Sequence, residues 1–175
     1  MQFENSKLSG AVLITTEPHK DDRGFFVRFL DEEMFSQHGI SVKCTQSSIS
    51  HNYRMGSLRG MHFQSPPFEE DKLIMCVSGI VYDVIVDIRS DSPTYLLWQS
   101  FILDSENPQV LYVPKGFAHG FLSICDNARL LYHISAPYRP ESASGYRWDD
   151  PSINIKWPLP APYIMSSKDR SWAYI

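Results

Sequence analysis

Lys72-Leu73-Ile74-Met75-Cys76-Val77-Ser78-Gly79-Ile80-Val81-Tyr82-Asp83-Val84-Ile85-Val86-Asp87-Ile88-Arg89 is the stretch that decides the fold class. Two runs rich in apolar and β-branched residues, 72–77 and 80–89, flank Ser78-Gly79, which reads as a two-residue hairpin turn. In the second run Ile80, Tyr82, Val84, Val86 and Ile88 share one face by period two, and Val81, Asp83, Ile85 and Asp87 share the other. Working outward, residues 11–15, 25–30, 95–103, 109–113, 121–124 and 129–135 are further short strand candidates, and the polar turn from His19 to Gly24 separates the first two. Short strands at this spacing, with turn residues between them, predict an all-β sandwich or barrel. One short helix fits the pattern. Asp31 caps it, Glu32 and Glu33 suit its first turn, Met34 and Phe35 supply apolar contact, and Gly39 ends it.

A chain of 175 residues predicts one domain, 1–175. A domain this size buries roughly 70% of the surface its unfolded chain exposes. With 43% apolar and 21% charged residues, it has ordinary globular usage and needs no staples. The net charge of −4 argues against non-specific binding to nucleic acid or an anionic membrane. Cys44, Cys76 and Cys125 are widely spaced and form no CxxC; they read as buried thiols of a reducing compartment. The first residues, MQFENSKLSG, lack the basic and apolar regions of a secretory signal. No apolar run approaches the ~20 residues of a membrane span, so the expectation is a cytoplasmic protein. After Tyr138 the chain turns rich in Pro, Trp and Ser, too aromatic to stay solvated; it reads as an ordered tail packed over something.

Three segments carry candidate chemistry. In Leu58-Arg59-Gly60-Met61-His62-Phe63-Gln64 a strand puts His62 and Gln64 on one face, opposite Arg59, Met61 and Phe63. Val113-Pro114-Lys115-Gly116-Phe117-Ala118-His119 is a turn that delivers a histidine at the start of a strand. Ser166-Ser167-Lys168-Asp169-Arg170 is the third. Each has a bland reading: a structural histidine, a turn, a solvated loop. Taken together, a strand histidine, the acid–base partner Tyr132 and the cations Arg23, Arg59, Lys72 and Lys168 suit proton chemistry on a polyanionic ligand.

The chain resembles the dTDP-4-dehydrorhamnose 3,5-epimerases and the related nucleotide-sugar 3-epimerases. Asp22-Arg23-Gly24-Phe25-Phe26, Leu58-Arg59-Gly60-Met61-His62-Phe63-Gln64, Lys72-Leu73, Asp83-Val84-Ile85-Val86-Asp87-Ile88-Arg89, Gly116-Phe117-Ala118-His119-Gly120-Phe121, Tyr132, Asp149-Asp150-Pro151, Ile155-Lys156-Trp157-Pro158 and Ser167-Lys168-Asp169 carry the likeness in order. It implies an all-β, cupin-like double-stranded β-helix (jelly-roll) barrel with a few short helices. It also implies a homodimer, a nucleotide-sugar substrate, and neither metal nor cofactor. The substrate class is a nucleoside-diphosphate 4-keto-6-deoxyhexose, whose keto group acidifies the C–H bonds at C3 and C5.

In this resemblance His62 matches the base, a natural choice because its unperturbed pKa is about 6.5. Asp169 matches the carboxylate that orients it, Lys72 the cation near the enolate oxygen, and Tyr132 the acid on the far face. Arg59 and His119 match diphosphate contacts. Arg23 and Gln46 match substrate contacts, with Arg23 reaching across from a partner subunit. Tyr138 and Lys168 match further substrate-side positions. Four departures touch the rim. Arg28 stands where the family often has Glu, Ala143 stands where another Glu is common, Asp71 replaces a Gly before Lys72, and the stretch after Gln46 is one residue longer. They leave open CDP in place of dTDP, and inversion at C3 alone. Two rival readings remain. A metal-dependent cupin oxygenase needs clustered histidines, whereas no His-X-His occurs. A non-catalytic sugar-binding cupin would keep the barrel and lose the base or acid, whereas His62, Tyr132, Lys72 and Asp169 are all present.

Overall fold

The computed structural model describes residues 1–41 and 43–175. Among them the predicted β-architecture holds. β1 (Gln2–Asn5), β2 (Val12–Thr15), β5 (Gln46–Asn52), β7 (Lys72–Ser78), β10 (Gln109–Val113) and β12 (Ala128–Ile134) form one antiparallel sheet in the order β1-β2-β10-β7-β12-β5. β6 (Leu58–Gln64), β8 (Ile80–Asp87), β9 (Trp98–Asp104), β11 (Phe117–Ser123) and β13 (Ala143–Gly145) form the second, in the order β13-β6-β11-β8-β9. β3 (His19–Asp21) and β4 (Gly24–Phe26) pair only with each other. The two short helices are α1 (Glu32–Gln37) and α2 (Ser167–Ser171). Asp31 caps α1 as expected, accepting from the Met34 N–H.

The strands at 72–78 and 80–87 exist, but the hairpin between them does not. β7 pairs with β10 and β12, while β8 pairs with β9 and β11. The Ser78-Gly79 turn therefore carries the chain from one sheet to the other. Both strands are apolar on both faces and lie inside their sheets, so each already has two neighbours, and a mutual ladder would cost each of them one. Gly79 makes the crossing at φ +75, and a Cβ there would come within 2.5 Å of Cys125 Sγ. Of the run 25–30, only Phe25 and Phe26 become strand, within β4. Cys44 is exposed rather than buried.

Period-two alternation explains the layers. Ile74, Cys76, Val81, Ile85, Leu103, Leu111, Phe117, Phe121 and Leu130 fill the space between the sheets. On the outside of the first sheet Val12, Ile14, Leu73, Met75 and Val110 are covered by Phe35 of α1 and by Ile40. The tail after Tyr138 covers the outside of the second sheet. Ile153 and Ile155 pack on Met61, Val84 and Val86, and Tyr163 and Trp157 pack around Leu58 and Leu122. The aromatic tail is thus a layer of the fold, as its composition predicted.

One irregularity matters for function. Between β6 and β11, His62 pairs with His119 and Arg59 with Phe121. Three steps on β6 face two on β11, so β6 carries one extra residue, a β-bulge. The bulge sits at Gly60, whose φ is +129 and whose Cβ, if present, would lie 2.5 Å from Gly120 Cα. Strict alternation places Arg59 and His62 on opposite faces; the extra residue turns both toward the space between the sheets. Gly60→Ala should destabilise the protein by roughly 2–4 kcal/mol, through a strained φ and a backbone clash. Urea unfolding reads this directly, and an unchanged midpoint would mean the strands tolerate separation here.

Candidate active site

At one end of the inter-sheet space the apolar core gives way to polar side chains. A cleft of about 290 Å³ is lined there by Ser48, Ile49 and Ser50 of β5, Arg59 and His62 of β6, Glu70, Lys72 of β7, His119 and Phe121 of β11, and Tyr132 and Ile134 of β12. Lys72 continues the inward row of Ile74 and Cys76, and Tyr132 continues that of Leu130. These positions thus follow from the same period that builds the core.

His62 is 44% exposed, and its Nε2 lies 2.6 Å from Asp169 Oδ1, whose side chain is 6% exposed. Asp169 sits on α2, where Ser166 caps the turn and accepts from the Asp169 N–H at 3.0 Å. Burial alone would raise the Asp169 carboxyl. The hydrogen bond from His62 and its charge, helped by Ser166 and Trp172, more than reverse this, so the carboxyl titrates below its ordinary range. An imidazole whose Nε2–H is held by a carboxylate keeps Nδ1 as its basic nitrogen.

Beside this pair, on the neighbouring strand, His119 Nε2 donates to both oxygens of Asp83 at 3.0 and 2.9 Å. Asp83 is fully buried on the inward row of Val81 and Ile85. Burial pushes its carboxyl up, and His119 and Lys72 offset part of the rise. Asp83 therefore lies beneath the cleft as the partner of His119. Tyr132 is half-buried, and its ring stands edge-on to His119 at 6.0 Å. Burial, then the charge of Asp83, raise its phenol well above the usual value of about 10, so it stays an O–H donor through neutral pH. Lys72 is 8% exposed; its ammonium lies 3.2 Å from Glu70 Oε1 and 3.4 Å from the His62 carbonyl. Arg59 Nε donates to Asn52 Oδ1 at 2.8 Å, which aims the guanidinium along the cleft wall.

The structure brings His62, Lys72, Arg59, His119 and Tyr132 into one cleft, with Asp169 directly behind His62. Gln46 and Tyr138 do not line this cleft; Gln46, paired in register with the cleft residue Ile134, accepts at Oε1 from the Tyr138 N–H at 2.9 Å. Lys168 is exposed beside Asp169, its ammonium 5.1 Å from the Trp172 ring. Arg23 and Arg28 do not line the cleft of their own chain. Arg23 projects from the β3–β4 turn and pairs with Asp21, and Arg28 pairs with Asp31 at 3.5 Å. Asp71 is turned away, accepting from the Lys115 N–H and Tyr112 O–H. Sequence reasoning did not single out Glu70, Asn52 or Trp172. Only Glu70 left a signal, an acid two residues before Lys72 on the approach to a strand.

A jelly-roll of two antiparallel sheets, with a His–Asp pair, a lysine and a high-pKa tyrosine around one cleft, defines the class as cupin-like proteins equipped for proton transfer. A family model described as dTDP-4-dehydrorhamnose 3,5-epimerase matches residues 5–175. A protein of that name from Methanothermobacter thermautotrophicus is 40% identical over 98% of this chain and 92% of its own length. A dTDP-4-dehydrorhamnose 3,5-epimerase from Bacillus anthracis, solved with TDP and PPi bound, superposes with a TM-score of 0.96 at 36% identity, covering 99% of both chains. A dTDP-6-deoxy-D-glucose-3,5-epimerase from Legionella pneumophila, in complex with dTDP-4-keto-L-rhamnose, gives a TM-score of 0.94 at 34% identity over 99% of this chain and 92% of that one. The chain belongs to the dTDP-4-dehydrorhamnose 3,5-epimerase family.

The depressed Asp169 carboxyl makes a pH prediction. Its folded pKa is below its unfolded value of about 3.9, so its contribution to stability is present above that value. The contribution is lost as pH falls through the lower folded pKa. The unfolding free energy of the wild type minus that of Asp169→Asn should therefore shrink on acidification from about pH 6 to pH 3. A difference constant over that range would mean that Asp169 is not held ionised by its neighbours.

Proposed function

We propose that this protein epimerises a nucleoside-diphosphate 4-keto-6-deoxyhexose, dTDP-4-dehydro-6-deoxyglucose being the leading substrate, at C3 and C5. The observation that carries this reading is the His62–Asp169 pair sharing a cleft with Lys72 and Tyr132. His62 takes the proton beside the keto group, and the electron pair moves onto the keto oxygen. Asp169 stabilises the imidazolium formed, and the Lys72 ammonium stabilises the enolate oxygen. Tyr132 then donates its proton to the carbon from the opposite face, and solvent returns the His62 proton to the phenolate. Arg59 and His119 hold the diphosphate, Arg59 with the geometry suited to phosphate oxygens. Gln46, Tyr138 and Lys168 contact the substrate around the cleft, and Arg28, which lies outside the cleft of its own chain, would meet the nucleoside from a partner subunit. No step calls on a metal or cofactor. The three free cysteines support action in the cytoplasm.

The active form in this reading is a homodimer. The β3–β4 hairpin is exposed along its whole length, and Phe25 and Phe26 are 45% and 67% exposed. A lone two-stranded hairpin is marginal in water, and side-by-side exposed phenylalanines mark a contact surface. β5, the edge strand beside the cleft, also presents Ile49. A partner hairpin laid against this edge would bring a second Arg23 toward the diphosphate. Phe26→Asp should shift light scattering from dimer to monomer at micromolar concentration and weaken substrate binding; a monomeric wild type with full activity would defeat the dimer.

Tyr132→Phe separates acid from base. With the phenolic O–H gone, His62 still removes and returns the C3 proton, so deuterium exchange in D2O should persist while inversion falls much further. If Tyr132 is only a core tyrosine, the variant loses about 1 kcal/mol of stability and keeps the exchange-to-inversion ratio of the wild type. Both rates, measured on one sample, decide the role.

A further inference from the structure

Given the epimerase reading above, we infer that Glu70 is a positioning residue that holds the Lys72 ammonium in register with His62 and the reacting oxygen. A lysine head rotates freely at the end of a four-carbon stem and carries three equivalent donors. As an electrostatic catalyst it acts only where the charge develops, so its place must be set beforehand. In this cleft it is set by a chain of side chains rooted in β6. Gln64, two residues after His62 on the same strand, is buried, and its Oε1 accepts from the Arg139 N–H at 2.6 Å. Its Nε2 donates to Glu70 Oε2 at 2.7 Å and to the Phe68 carbonyl at 2.9 Å. The other oxygen, Glu70 Oε1, lies 3.2 Å from Lys72 Nζ, and the pair is only 12% and 8% exposed.

This arrangement fixes the ammonium. One N–H points at Glu70 and a second at the His62 carbonyl, 3.4 Å away. That leaves the third for the cleft that Lys72, His62 and Tyr132 line together. The carbonyl belongs to the base itself, so lysine and histidine are referred to one backbone position. A carboxylate in a cleft that takes a diphosphate opposes binding by its charge. A buried ion pair is also weak evidence for stability, since desolvation offsets its attraction. The function that accounts for Glu70 here is orientation of Lys72.

Glu70→Gln keeps the shape and the Gln64 contact while removing the charge that holds Lys72. It should lower kcat for inversion roughly 10- to 100-fold, as expected for misplacing a catalytic group by about an ångström. KM should stay level or fall, because one negative charge leaves the diphosphate's surroundings. The deciding test is a double-mutant cycle with Lys72→Met, together with the lysine ammonium signals in 1H–15N NMR. If Glu70 acts through Lys72, Glu70→Gln changes kcat by less than about twofold once Lys72 is gone. The wild type should show a slowly exchanging ammonium signal that Lys72→Met removes and Glu70→Gln abolishes or shifts. Equal factors with and without Lys72, or a Lys72 signal untouched by Glu70→Gln, would overturn the inference. Absence of any C3 exchange in the wild type would instead strike the epimerase reading, and the ammonium signal alone would then decide whether Glu70 holds Lys72.

Discussion

The contact between Gly60 and Gly120 governs the geometry of the cleft. Two strand backbones approach so closely there that a Cβ on Gly60 would lie 2.5 Å from Gly120 Cα. The approach accommodates the extra residue of β6, and that residue reverses the parity of the strand between Arg59 and His62. Without it, one of these two side chains would point into the layer where Met61 packs against Ile153 and Ile155. With it, a strand of seven residues supplies both a histidine and an arginine to one cleft wall, and Gln64 continues the same face.

The cleft is also the polar end of the hydrophobic core. The inward rows of Ile74 and Cys76 and of Leu130 end as Lys72 and Tyr132, and Asp83 interrupts the apolar row of Val81 and Ile85 beneath them. Rigid, densely packed strands therefore hold the polar groups, which suits a site that must keep its dipoles in place before charge develops. Burial and hydrogen bonding then tune them in opposite directions. Burial raises the Tyr132 phenol and the Asp83 carboxyl, while hydrogen bonds overcome it at Asp169. A neutral donor and an ionised carboxylate thus coexist in and just behind one small cleft, each in the protonation state the proposed reaction requires.

Much of this was legible in the chain. Alternation identified β8 and correctly set Asp83 opposite Tyr82, and the Asp31 cap marked α1. The aromatic tail announced that it would pack. Other features depend on contacts distant in sequence and could not be read locally. Ser78-Gly79 has the chemistry of a hairpin turn, yet the partners of β7 and β8 are chosen by other strands. The β5 strand was missed because its sequence, Gln46-Ser47-Ser48-Ile49-Ser50-His51-Asn52, is polar, and its burial pattern shows why: it is an edge strand, largely exposed. The bulge at Gly60 was invisible to a period-two reading, which placed Arg59 away from His62. The likeness to a family named the candidate site residues, and the fold explains how residues as far apart as His62 and Asp169 meet.

The central claim is that His62, oriented by Asp169, removes a proton next to a keto group. Proton NMR of dTDP-4-keto-6-deoxyglucose in D2O tests it most directly, with wild-type protein and His62→Asn side by side. Loss of the C3 proton signal with wild type, and none with a His62→Asn variant of unchanged fold, is the result expected. General base catalysis is worth roughly 10²–10⁴-fold, so the contrast should be unmistakable. Exchange at near wild-type rate in the folded variant would remove His62 from the role and contradict the account.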